Sequence, residues 1–165
     1  MESVSRRLPQ ERPLVTLAAA VLVCELVGIT GAVFTASGVE SWYATLERPA
    51  FAPPNWVFGP VWTTLYALMG VAAWLVWRNG TGRPLRVALG LFGVQLVLNF
   101  AWSFVFFGEQ EIFAALVVIV ALLVSILATM GAFWRVDHRA TLLLVPYVAW
   151  VGFATALNYA FWMLN

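Results

Sequence analysis

Five apolar runs, each about as long as a bilayer's hydrocarbon core is thick, leave this chain little choice of fold. They cover residues 14–36, 55–77, 87–107, 112–134 and 141–163. A helix rising about 1.5 Å per residue through each is roughly 31 to 35 Å long, against a core of about 30 Å. Hydrocarbon offers the backbone no hydrogen bonds, so spanning segments are helices or strands of a closed barrel, and five spans are too few for a barrel. The expected fold class is all-α: a polytopic membrane protein, a bundle of five transmembrane helices forming one domain over residues 1–165. Composition agrees, since 10% of the residues are charged against about 25% in a soluble domain, too few to cover a water-exposed surface.

Arg6, Arg7 and Arg12 precede the first run, as basic residues precede the core of a signal peptide. That core is ordinarily about 7 to 15 residues, and this run is longer and carries Glu25, so it is expected to be retained as a span. Arg78, Arg83 and Arg86 follow the second run, and Arg135 and Arg139 follow the fourth; the alternate connections hold only Arg48. The positive-inside rule then expects a cytoplasmic N-terminus and an outside C-terminus. Basic residues gathered at one membrane face set orientation, and no nucleic-acid partner is expected.

Cys24 is the only cysteine, so no intrachain disulfide can form. It stands in a ridge of residues spaced by four, Thr16, Ala20, Cys24, Gly28, Ala32 and Ala36, small enough for another helix to approach closely. Residues 37–54 form one long connection containing Trp42, Tyr43, Leu46, Phe51 and Pro53-Pro54. Loops of that length often serve as lids, and proline stiffens this one; an interfacial aromatic belt is the competing reading.

At about 100° per residue, three helices each carry an aromatic stripe. Trp62, Tyr66, Met69, Ala73 and Trp77 share a face of the second. Gln95, Asn99, Trp102, Ser103 and Phe106 share one on the third, and Tyr147, Trp150, Ala154, Leu157, Asn158 and Phe161 one on the fifth. Lipid cannot satisfy an amide, so Gln95, Asn99 and Asn158 should face inward. The stripes fit either a pocket for a large, flat, mostly apolar ligand or interhelical hydrogen bonds and core aromatics. In the pocket reading Trp62 and Trp150 face one another across the bundle. On the third helix, Gly90, Val94, Val97 and Ala101 share a small apolar face, expected to form a homodimer or to pack within the protomer.

The run Trp42-Tyr43-Ala44-Thr45-Leu46-Glu47-Arg48-Pro49-Ala50-Phe51-Ala52-Pro53-Pro54-Asn55-Trp56-Val57-Phe58-Gly59-Pro60-Val61-Trp62 resembles the signature of the TspO/MBR family, the translocator or tryptophan-rich sensory proteins. Gln95-Leu96-Val97-Leu98-Asn99-Phe100-Ala101-Trp102, Phe106-Phe107-Gly108 and Pro146-Tyr147-Val148-Ala149-Trp150 extend the resemblance from about Ser41 to Asn165; the first helix matches in placement only.

The resemblance implies a five-helix bundle in the lipid bilayer, usually a homodimer, that binds porphyrins such as protoporphyrin or haem as ligand rather than as a required cofactor. Animal relatives bind cholesterol and benzodiazepine-site compounds. Carried over by position, the ligand-binding residues would be Trp42 and Pro53 of the loop, Trp62 and Tyr66, Asn99 and Trp102, and Trp150, Ala154 and Leu157. The implied function is a receptor acting as sensor, carrier or regulator of tetrapyrrole metabolism, with light-dependent porphyrin breakdown as the alternative. The family's sterol motif is incomplete: Leu157 and Tyr159 are present, but no Lys or Arg follows.

Arg48 is a candidate partner for porphyrin propionates, with lipid-phosphate anchoring or loop orientation as its other roles. The lone histidine, His138, is expected in a solvated loop, and no catalytic or metal constellation occurs. Glu25 costs about 2.5 to 3.5 kcal/mol near the centre of a span, so its role is either an interhelical hydrogen bond, a ligand or proton contact, or a proton-coupled exporter's carboxylate. Many transporters are built from repeats, and none is visible here.

Overall fold

The computed structural model describes residues 12–165. Its helices are α1 (Pro13–Val39), α2 (Phe58–Asn79), α3 (Gly82–Ser103), α4 (Ile112–Trp134), α5 (His138–Leu143) and α6 (Val145–Leu164). Five helical stretches, Pro13–Val39, Asn55–Asn79, Gly82–Gly108, Ile112–Trp134 and His138–Leu164, are long and apolar enough to cross a membrane, and no strand occurs among the described residues. The protein is a multi-pass integral membrane protein. Arg6 and Arg7, used above for orientation, lie outside the described residues.

Four of the five spans are longer than their apolar runs, because the helices do not stop where hydropathy does. α1 continues past Ala36 to Val39; the Ser37 hydroxyl folds back onto the Phe34 carbonyl at 2.9 Å, so polar residues ride on the helix rather than ending it. The loop is therefore displaced by three residues from 37–54 without becoming shorter, running from Glu40 through 3₁₀ turns at Tyr43–Thr45 and Asn55–Val57 to the start of α2. α5 begins three residues before Thr141, where Asp137 caps it by accepting from the Arg139 N–H at 2.9 Å. His138 is thus the first residue of a helix, and its ring stacks on Trp134 at 3.9 Å. Pro146, which lacks an N–H, lies just beyond the break between α5 and α6.

The helices close a ring. α1 lies against α2 on one side and against α3 on the other; α2 meets α5, α6 lies along α4, and α4 lies along α3. Glycine sets the closest approach, since a Cβ on Gly70 of α2 would stand 2.6 Å from the Val21 backbone of α1. The α1 ridge takes part in the same contact: Thr16 accepts from Trp74 Nε1 at 3.1 Å, Cys24 is buried, and Gly28 backs onto the Tyr66 ring. Gly90, Val94 and Val97 do not pack within the protomer, as one expectation had it. They face outward, Val94 51% and Val97 68% exposed.

Candidate functional site

A cavity of about 400 Å³ opens among α1, α2 and α3 at the end nearest the loop. Its α1 wall is Glu25, Gly28, Ile29, Gly31, Ala32, Thr35, Ala36 and Val39, continued by Glu40 at the start of the loop, and its α2 wall is Phe58, Gly59, Trp62, Thr63 and Tyr66. Asn99, Trp102, Ser103 and Phe107 supply the third side, and Tyr43 and Asn55 reach in from the connection.

The space exists because small residues on α1 face small residues on α2. Ala32 and Ala36 stand across from Gly59 and Thr63, and nothing bulky fills between them. Aromatic rings close the remaining sides. Trp62 leans on Tyr66 at 5.7 Å and on Tyr147 at 6.4 Å, and Trp102 lies against Phe106 and Phe107.

A buried polar chain holds these rings in place. Tyr66 donates to Asn99 Oδ1 at 2.6 Å, Asn99 Nδ2 donates to the Tyr147 hydroxyl at 2.8 Å, and that hydroxyl donates to Gln95 Oε1 at 2.6 Å. Separately, Trp102 Nε1 donates to Asn158 Oδ1 at 3.0 Å, and Asn158 Nδ2 donates to the Ile112 carbonyl. Every amide of the stripes is thus spent on joining helices, and such bonds fix ring orientation where lipid offers no competing partner. Asn99 serves both ends, since it also borders the cavity.

Trp62, Tyr66, Asn99 and Trp102 therefore meet at one cavity, and the other residues carried over by resemblance do not line it. Trp42 packs edge-on against Phe106. Pro53 turns its carbonyl to Arg48, which donates to it at 2.9 Å. Ala154 and Leu157 are buried in the core on the α6 side. Trp150 does not oppose Trp62 across the cavity: it packs on Phe58 and Phe153 and borders a shallow groove between α2 and α6. Its Nε1 has no partner among the described residues.

The connection is folded, not slack. Tyr43 is 3% exposed and lies against Phe106, Phe107 and Phe161. Arg48 sits over the Tyr43 ring at 5.3 Å and donates to Pro53 O and to Asn55 Oδ1. Its guanidinium is committed to shaping the loop and is absent from the cavity wall. Asn165 clasps the Glu47 peptide from both sides, accepting its N–H at 2.9 Å and donating to its carbonyl at 3.0 Å. Burial pushes the Tyr43 hydroxyl above its ordinary pKa, with Arg48 pulling the other way. Among the described residues no group of three His, Cys, Asp or Glu could hold a metal.

Sequence periodicity missed the α1 wall and Phe107. The ridge expected to pack closely does so at Gly28, against the Tyr66 ring, whereas Ala32 and Ala36 of the same ridge border open space. Phe107 escaped the third-helix stripe because residues Phe104–Gly108 form a π turn, in which the Glu109 N–H reaches back five residues to the Phe104 carbonyl at 2.9 Å.

These features define an all-α membrane protein of five spans with a ligand-sized aromatic cavity under a folded loop. The chain belongs to the TspO/MBR family, whose profile matches residues 20–163. It is 44% identical over 152 residues to the tryptophan-rich protein TspO of Archaeoglobus fulgidus, covering 92% of this chain and 98% of that one. It is 44% identical over 126 residues to the human translocator protein, 75% of each chain, and 40% identical over 127 residues to the tryptophan-rich sensory protein of Cereibacter sphaeroides, 76% of this chain and 78% of the relative.

Proposed function

We propose that this protein is a membrane receptor for porphyrins and other flat hydrophobic molecules, acting as sensor, carrier or regulator in tetrapyrrole metabolism. The observation that carries the reading is the cavity itself: Phe58, Trp62, Tyr66, Trp102 and Phe107 offer ring faces and edges around one space, and its volume falls in the range of about 300–1,000 Å³ usual for small-molecule sites. A macrocycle would lie between the α2 and α3 aromatics, its propionates toward the aqueous edge. The N-terminus is cytoplasmic and the C-terminus outside, so the loop faces outward. Protoporphyrin added to purified protein in nanodiscs should quench tryptophan fluorescence saturably. Quenching that rises linearly, as with a control membrane protein, would defeat the reading.

A second reading, light-dependent porphyrin breakdown, is favoured by the ring contacts of Trp62 with Tyr66 and Tyr147, oxidisable groups beside the space a photoexcited macrocycle would fill. Product formed in light and not in the dark distinguishes it. The outward face of Gly90, Val94 and Val97, with Ala101 beside it, is the proposed homodimer contact, small enough for close helix approach. Cysteines at Val94 and Val97 should crosslink between protomers; crosslinks only at other lipid-facing sites would exclude this face.

A further inference from the structure

The cavity has a charge preference that its aromatic walls do not reveal. Glu25 of α1 and Glu40, just past its C-terminal end, stand fifteen residues apart, about 22 Å along the helix axis, and are the only formally charged side chains in the wall. The sole ion pair among the described residues joins Arg139 to Asp137, and Glu25 has no hydrogen-bond partner among them either. Arg48, the basic residue of the connection, is turned to Pro53 and Asn55.

Two of the neutral polar groups in the wall lean the same way. Thr35 and Thr63 donate their hydroxyl hydrogens to the Gly31 and Gly59 carbonyls of their own helices, so only lone pairs remain to face the cavity. The Tyr43 hydroxyl, on a wall residue 97% covered, has no partner among the described residues, but its oxygen is itself covered and presents no donor to the cavity. Ring faces such as those of Trp62, Tyr66 and Trp102 attract cations. A carboxylate and aromatic faces around one space are the chemistry of amine recognition.

We propose that Glu25 makes the cavity selective for flat aromatic ligands bearing a cationic nitrogen, over neutral and anionic ones of the same shape. This rests on the receptor reading only in requiring that a flat ligand enter the cavity. An ammonium on the ligand pairs with the Glu25 carboxylate, while a propionate at the same depth meets like charge.

The test uses three forms of one porphyrin: the free dicarboxylate, its dimethyl ester and its bis-amide carrying protonated tertiary amines. In the wild-type protein the amine form should bind roughly tenfold tighter than the ester, the scale of a hydrogen bond to a charged group, and the dicarboxylate more weakly than either. Glu25→Gln should bring the amine-to-ester ratio near one, with circular dichroism and thermal unfolding verifying the fold. Equal affinity of amine and ester in the wild type, or a ratio that Glu25→Gln leaves unchanged, overturns the proposal while the receptor reading stands. Should no porphyrin bind, the receptor reading fails, and a protonated aminoacridine carries the test: binding weakened about tenfold by Glu25→Gln supports the inference, and no binding or no change refutes it.

Discussion

At the loop end of the bundle α1, α2 and α3 leave about 400 Å³ open between them, whereas at the opposite end the same helices close on Met69, Ala72, Val76 and Ala88, all with no exposed surface. Small residues are present at both ends, with opposite results. Gly70 is small and its neighbour follows it in, so the α1 backbone at Val21 occupies the place a side chain would take. Ala32 and Ala36 are small and their neighbour stays away, because Gly59 and Thr63 of α2 are small too. A small residue makes contact or makes space according to what faces it, and that decides which end packs and which end can bind.

If the closed end is structural, its largest side chains should govern stability. Phe133 has no exposed surface and stacks on Phe92 at 5.8 Å. Phe133→Ala should cost about 2 kcal/mol, the cavity part of the usual loss, because lipid rather than water surrounds the separated helices. Unfolding in detergent would measure it, and a variant as stable as wild type would erase the distinction between the ends.

The open end should govern binding instead. Trp62→Phe should weaken porphyrin affinity by roughly 2- to 12-fold, an aromatic contact being worth about 0.5–1.5 kcal/mol beyond burial. Trp150→Phe and Trp134→Phe should leave affinity as it is, since one borders the outer groove and the other stacks on His138. Equal losses at Trp62 and Trp134 would mean the cavity is not the binding site.

A finer test concerns how the connection is held. Asn165→Ala removes both bonds to the Glu47 peptide, each worth about 1 kcal/mol at most in this exposed setting. Hydrogen exchange at the Glu47 amide should accelerate and porphyrin should dissociate a few-fold faster, with equilibrium unfolding little altered. Unchanged exchange would show that the aromatic anchors around Tyr43 suffice.

The smallest effect belongs to the far end. Asp137, its side chain 8% exposed, accepts from Arg139 and from Asn79, tying α2 to the start of α5. The Arg139 guanidinium, more than any other neighbour, holds its carboxyl below the usual value of 3.8. A carboxyl depressed in the folded state stabilises above its unfolded pKa and loses that contribution as pH falls through the folded one. Melting temperature should therefore drop slightly as pH falls below about 4, and Asp137→Asn should flatten that decline.

The five spans were legible in the sequence because hydrocarbon permits so few alternatives. So were the inward amides, since Gln95, Asn99 and Asn158 had nowhere else to go. The division of aromatics was not. Periodicity places Trp150 and Tyr147 on one face of α6 but cannot say which helix that face meets; Tyr147 reaches the Asn99 chain, and Trp150, one turn on, meets Phe58 instead. The α1 wall was hidden for a different reason: a cavity is marked by missing side chains, and pattern reading looks for present ones. The Asn165 clasp joins residues 118 apart, a separation at which no local signal exists.

The π turn at Phe104–Gly108 has a consequence for how such a chain can change. Holding one residue more per turn than an α-helix, it acts as a thread stop on a screw: what lies beyond it can be rewound without turning what lies before. Deleting a single residue there would rotate Phe107 and the entry to α4 by about 100° and leave Asn99 and Trp102 in place. The rim of the site and its floor are geared separately, so descendants of this sequence could reshape the one while inheriting the other intact.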